Sequence, residues 1–192
     1  MNKKFLNILI LLLIAIILLV VTFAVLTKDE QPSSSLQDNQ SLDEPNEAAD
    51  SFKDSNPEKT KAPDFVLEDL EGNKVSLSDY IGQNVFLNFW ASWCGPCKAE
   101  MPDMELIQQS YGDQVVILAV NVGENAATAS GFKEDYGLTF EILLDQDNNV
   151  ARLYSVTGIP TSYFIDKEGN IIAGYVGTMD YDTMVNYISM FD

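Results

Sequence analysis

Histidine is absent from this chain of 192 residues, cysteine occurs twice, and 11 Lys plus Arg stand against 29 Asp plus Glu. Each scarcity excludes a kind of chemistry. Without histidine there can be no Ser-His-Asp or Cys-His nucleophile pair, no imidazole general base, and no His-ligated zinc, copper or haem iron. Two cysteines alone cannot build a four-ligand zinc or iron–sulfur site, so no metal is expected. The formal charge of −18 argues against nucleic acid as a partner, because phosphate binding relies on Lys and Arg to displace counterions.

What is present falls into three parts. Residues 1–27 carry Lys3 and Lys4 and then Phe5 to Leu26, an uncharged run in which only Asn7 and Thr22 are polar. As a helix this run spans about 33 Å, enough for a bilayer core, and it is longer than the apolar stretch of a cleaved leader. It reads as a transmembrane anchor in contact with lipid. The Lys bias on its N-terminal side places the bulk of the protein on the extracytoplasmic face of the cell membrane. Residues 28–61, with a net charge of −5, are rich in Ser, Asp, Glu, Asn, Gln and Pro and read as an acidic flexible linker.

Residues 62–192 are of single-domain length and hold −15 of the charge. Here short strands alternate with helices. Phe65–Leu67 and Lys74–Leu77 flank a turn at Gly72 and suggest an N-terminal hairpin. Asn84–Trp90 and Val115–Val120 are continuous apolar runs of the kind found in buried parallel strands. Between them Cys97, Met101, Met104, Ile107 and Tyr111 recur at helical spacing. Ala129, Phe132 and Tyr136 mark another helix, Thr139–Leu144 a further strand, and 163–176 a closing hairpin. A last helix, capped by Asp180, buries Met184 and Ile188. The pattern predicts an α/β fold with a mixed central sheet and helices on both faces.

The two cysteines lie in Trp93-Cys94-Gly95-Pro96-Cys97, between a strand and a helix. As a staple so short a loop would stabilise little. A thiol at a helix N-terminus, by contrast, ionises more readily because the free amides and the helix dipole favour an anion. Cys94 is therefore expected to attack disulfides, and Cys97, further along the apolar helix face, to resolve the mixed disulfide. Pro96 fits the first turn, and Pro102 should free the carbonyl of Lys98 and kink the helix.

Two stretches, APDFVLEDLEGNKVSLSDYIGQNVFLNFWASWCGPCKAEMP (62–102) and GIPTSYFIDKEGNIIAGYVG (158–177), resemble the TlpA/ResA-like membrane-anchored thiol–disulfide oxidoreductases of the thioredoxin superfamily. The resemblance implies a thioredoxin fold with an extra N-terminal β-hairpin and a central insertion near 122–145. It implies that Pro160, after Ile159, is a cis-proline facing the cysteines, beside which extended substrate binds. Trp93 is a further candidate for the substrate groove. Cytoplasmic thioredoxins carry an Asp before Phe-Trp, where this chain has Asn88. By the resemblance, Glu100 is the acidic residue that TlpA/ResA-like proteins place beside the cysteine pair, and it is the candidate for proton transfer; a solvated helix position is its bland alternative.

The implied activity is reduction of disulfides in extracytoplasmic proteins, with apocytochrome c maturation or recycling of a surface methionine sulfoxide reductase as examples. The redox-active Cys94/Cys97 pair would need no other cofactor, and a membrane thiol electron donor of the CcdA/DsbD type would recharge it. Gly95-Pro96 points to a reducing potential. A peroxiredoxin-like thiol peroxidase and a non-catalytic thioredoxin-fold chaperone are the alternatives. Asp145–Asn149 reads as a plain turn and Arg152 as a solvated helix residue.

Overall fold

The computed structural model describes residues 60–191, so the expected anchor and nearly all of the linker lie outside the described residues. Among the described residues no helix is long and apolar enough to cross a membrane. Strand β1 (Thr60–Lys61) pairs with β8 (Asn170–Val176) at Ile171 and Asn170. Composition had assigned these two residues to the linker. Strand pairing through backbone amides needs no apolar side chain, which is why composition missed them.

Next come β2 (Val66–Asp69), β3 (Lys74–Ser76), a 3-10 turn over Leu77–Tyr80, β4 (Asn84–Trp90), α1 (Gly95–Tyr111), β5 (Val115–Val122) and α2 (Ala126–Tyr136). The chain continues through β6 (Glu141–Asp145), α3 (Asn149–Leu153), β7 (Thr161–Ile165), β8 and α4 (Tyr181–Ile188). One eight-stranded sheet runs in the order β1-β8-β7-β4-β5-β6-β2-β3. Strands β4, β5 and β6 are parallel, whereas β7, β8 and the β2–β3 hairpin join them antiparallel.

Alternation along β4 sorts its side chains to two faces. Phe86 and Trp90 join α1, α2 and α4 in one core, where they meet Met101, Met104, Ile107, Phe132 and Met184. Val85, Leu87 and Phe89 face the other core, under Phe65, Leu77, Val150 and Tyr154. Asn88 has the parity of Phe86 and Trp90 and is therefore aimed at the α1 side, although it is polar and fully buried. Ser162, its register partner on β7, shares that face with Phe164.

Several boundaries differ from the sequence reading. The strand expected over Thr139–Leu144 begins at Glu141, because the backbone N–H and hydroxyl of Thr139 donate to Glu105 on α1, each at 2.8 Å. Helix α1 continues through Pro102 to Tyr111. Asp145 accepts from the amides of Val150 at 3.1 Å and Ala151 at 2.8 Å, so this turn caps α3. Arg152 is exposed on α3, with its guanidinium on Asn149. Asp180 caps α4 by accepting from Thr183 N at 2.9 Å.

Candidate active site

The C-terminal end of β4 delivers the chain to the start of α1, and Cys94 stands at the helix N-cap. Cys94 and Cys97 form a disulfide, with Cα atoms 5.2 Å apart. The Cys94 sulfur accepts from the backbone N–H of Cys97 at 3.1 Å, and the Cys94 carbonyl accepts from Lys98 N at 3.1 Å, the first full helical bond. An anion on that sulfur would therefore face a helix amide at the positive end of the helix dipole. Cys97 is fully buried, while Cys94 keeps a sliver of exposure and its neighbours Gly95 and Pro96 are exposed. The Ile159–Pro160 peptide is cis, and the carbonyl oxygen of Ile159 lies 3.6 Å from the Cys94 sulfur. Trp93 is 69% exposed beside them, on the rim. The chain thus brings together the sulfurs and the cis-proline from segments 65 residues apart.

Glu100, one helical turn beyond Cys97, is fully buried and so is not a solvated helix residue. Its Oε1 accepts from Asn88 Nδ2 at 2.8 Å and its Oε2 from Met179 N at 3.1 Å. Burial pushes its carboxyl up to about 7, against the opposing pull of those two hydrogen bonds. The Asn88 amide also donates to Ser162 Oγ at 3.0 Å. A second carboxylate, Glu124, follows β5 and reaches the residue before Trp93. It accepts from Ser92 N at 2.7 Å, from Ser92 Oγ at 2.6 Å and from Asn121 Nδ2 at 2.8 Å. Burial pushes the Glu124 carboxyl up, but the Ser92 and Asn121 bonds and the Lys98 charge outweigh it and hold it below its ordinary value.

The profile of the AhpC/TSA family matches residues 59–173. Over 128 residues the chain is 46% identical to thiol-disulfide oxidoreductase ResA of Geobacillus kaustophilus, a match covering 66% of this chain and 74% of that protein. The chain belongs to the AhpC/TSA family, among its ResA-type thiol-disulfide oxidoreductases. ResA of Bacillus subtilis is 41% identical over 139 residues, covering 72% of this chain and 78% of that one. A solved structure from Chlorobium tepidum, assigned as thiol:disulfide interchange protein DsbE, superposes with a TM-score of 0.64 at 36% identity. It covers 69% of this chain and 95% of that one. The fold is thioredoxin-like, and the enzyme is a thiol-disulfide oxidoreductase of the ResA/DsbE type.

In this ResA-type enzyme, sequence reasoning picked out Cys94, Cys97, Glu100, Trp93, Ile159 and Pro160 but missed Ser162, Met179, Ser92 and Glu124. Ser162 was findable, since a Ser in register with a buried Asn on a core-facing strand needs a polar partner. Glu124 carried no such signal: Gly123-Glu124-Asn125 looks like any turn, and only the packing of β4 beside β5 brings it to Ser92. A peroxiredoxin-like peroxidase needs a Pro and a Thr or Ser at set positions before its reactive cysteine, an arrangement that Ala91-Ser92-Trp93 does not supply.

Proposed function

We propose that this enzyme reduces disulfides in exported proteins from a position anchored on the extracytoplasmic face of the cell membrane by residues 1–27. The observation that carries the reading is the buried Glu100 carboxyl one turn from Cys97, poised near neutrality beside a dithiol-forming pair at a helix N-terminus. In the reduced enzyme, the Cys94 thiolate attacks a substrate disulfide; a Cys94–substrate disulfide forms and one substrate thiolate leaves. Glu100 then takes the proton of the Cys97 thiol. The Cys97 thiolate attacks Cys94, closing the Cys94–Cys97 disulfide and releasing the second substrate thiolate, to which protons return from Glu100 and water.

Trp93, Ile159 and Pro160 would line the substrate path, with the exposed indole offering an apolar surface and the cis-proline segment offering backbone groups. Each turnover leaves the enzyme oxidised. No flavin or nicotinamide motif is found in the sequence, so the electrons would come from a membrane dithiol donor of the CcdA/DsbD type, and the cysteine pair would be the only redox group required. Apocytochrome c thiols before haem attachment, or a surface methionine sulfoxide reductase, are the candidate substrates.

The test is a Cys97→Ser trap in the full chain. With the resolving thiol removed, Cys94 should accumulate a mixed disulfide with its physiological partner, which mass spectrometry identifies. Insulin reduction with dithiothreitol should proceed with the unaltered chain and stop with Cys94→Ser. Full turnover by Cys94→Ser, or trapping no better than in the unaltered chain, would refute the reading. Rapid consumption of hydrogen peroxide by the reduced chain would favour the peroxidase instead.

A further inference from the structure

Glu100, Asn88 and Ser162 are all fully buried, and hydrogen bonds link them from α1 through β4 to β7. Both amide protons of Asn88 are used, on Glu100 Oε1 at 2.8 Å and on Ser162 Oγ at 3.0 Å, while Asn88 Oδ1 has no hydrogen-bond partner. That arrangement suits an ionised Glu100, which only accepts. Both carboxyl oxygens accept, Oε2 from the fixed backbone N–H of Met179 and Oε1 from a side-chain amide that can turn, so an added proton belongs on Oε1, the oxygen facing Asn88. Its O–H would then confront the N–H of Asn88, donor against donor. The conflict is relieved if the Asn88 amide turns over, presenting Oδ1 to accept from Glu100 and, on its other lone pair, from the Ser162 hydroxyl. The far side of the amide lacks a partner as it stands, so turning it moves the unpartnered position from Oδ1 to the Nδ2 hydrogens, a cost set against removal of the donor–donor clash.

We propose that Asn88 is a positioning residue that flips when Glu100 gains its proton, turning Ser162 from acceptor to donor. The proton state of the cysteine helix is thereby transmitted to β7, two residues after the cis-proline. The proposal rests on the reading of Glu100 as the proton acceptor for Cys97. No covalent bond changes in the flip. Other titratable groups near Glu100 do not compete for the role. Strands β4 and β5 bring none; on α1 the neighbour is Cys97, and on β7 the hydroxyl of Tyr163 donates to Tyr154 O at 2.7 Å. Beyond Met179, Asp180 gives its carboxylate to Thr183 N, and Tyr181 is engaged with Tyr111. The setting of Glu100 is burial and two amides, with no charged side chain contributing.

Infrared difference spectroscopy of the full chain in detergent micelles, titrated through neutrality, tests this without reading activity. The buried carboxylic acid band is assigned by its loss in Glu100→Gln, and the Asn88 carbonyl band, in chains with isotope-labelled Asn, by its loss in Asn88→Ala. Both bands should move together in the unaltered chain, with one midpoint near 7. Asn88→Ala removes a donor from the carboxylate and an acceptor from the protonated acid, so it should raise the Glu100 midpoint by less than about one pH unit. Ser162→Ala, a small change that keeps the rest of the core, should shrink the Asn88 band shift. An Asn88 carbonyl band that ignores the Glu100 midpoint, or a Glu100 midpoint raised by about two pH units or more in Asn88→Ala, would overturn the proposal. If Asn88→Ala does not fold, site-specific labelling of Asn88 supplies its band assignment, and Ser162→Ala decides alone, with an undiminished shift counting against the flip. A failed flip alongside an altered pH–turnover profile in Glu100→Gln would remove the relay yet leave Glu100 in its catalytic role.

Discussion

Two glutamates flank the same disulfide and have opposite electrostatic fates. Glu100, on α1, sits fully buried with two amide donors and no charge nearby, and its carboxyl is pushed up to about 7. Glu124, after β5, sits half-buried with three donors and Lys98 within electrostatic reach, and its carboxyl is held below its ordinary value. The difference shows that residue type does not set the role. A carboxyl deprived of water but given few donors can carry a proton near neutrality, whereas a carboxyl surrounded by donors and open to solvent remains an anion and serves as a clamp. The first can take part in proton transfer, and the second holds the loop before Cys94 in place.

The largest expected effect would come from emptying the first site. Glu100→Ala removes the carboxyl that pairs with the Asn88 amide and Met179 N in a buried site, and should cost about 2–6 kcal/mol near pH 5, read by chemical denaturation. A loss below about 1 kcal/mol would mean water fills the space and the two sites are alike.

A pH series sharpens the contrast further. Because the folded carboxyl of Glu100 lies above its unfolded value of 4.5, its contribution to stability is fully present below that value and is lost as pH rises through about 7. The loss is on the order of 3 kcal/mol, and Glu100→Gln should flatten that part of the profile. Glu124 has the opposite sign: its stabilisation is present above its unfolded value and disappears as pH falls through the depressed folded one. If denaturation midpoints of Glu100→Gln and the unaltered chain ran parallel from pH 4 to 8, the contrast would fail.

The smallest effect should follow Glu124→Ala. Solvent can replace the lost acceptor for Ser92 and Asn121, so destabilisation should stay near about 1–2 kcal/mol. Turnover of a model disulfide should fall a few-fold as the Ser92–Trp93 rim loosens, with the Glu100-dependent pH profile unmoved. A shifted profile would show that the two carboxylates are coupled.

Much of the architecture was legible in the chain. The uninterrupted apolar runs of β4 and β5 and the three- and four-residue spacing from Cys97 to Ile107 report burial on two faces and on one. Boundaries were less so. Thr139 and Phe140 look like strand, and Phe140 is buried, but the Thr139 backbone is claimed by Glu105 from a helix 34 residues away. Tyr136 looks like helix core, yet it is 40% exposed and stacks its ring on Phe132. In the site, the cysteine pair announced itself by position. The environment of Glu100 did not, because its polar partners come from β4 and from the segment before α4.

The sequence by itself pointed to the chemistry: two cysteines three apart at a helix start mark a thiol site, and the lack of histidine removes imidazole chemistry. Local spacing determines helix, strand and thiol position, since these depend on neighbours along the chain. The tertiary structure alone decided which glutamate holds a proton and which holds a loop. That outcome depends on water excluded and donors supplied by segments distant in sequence, and no local pattern encodes it.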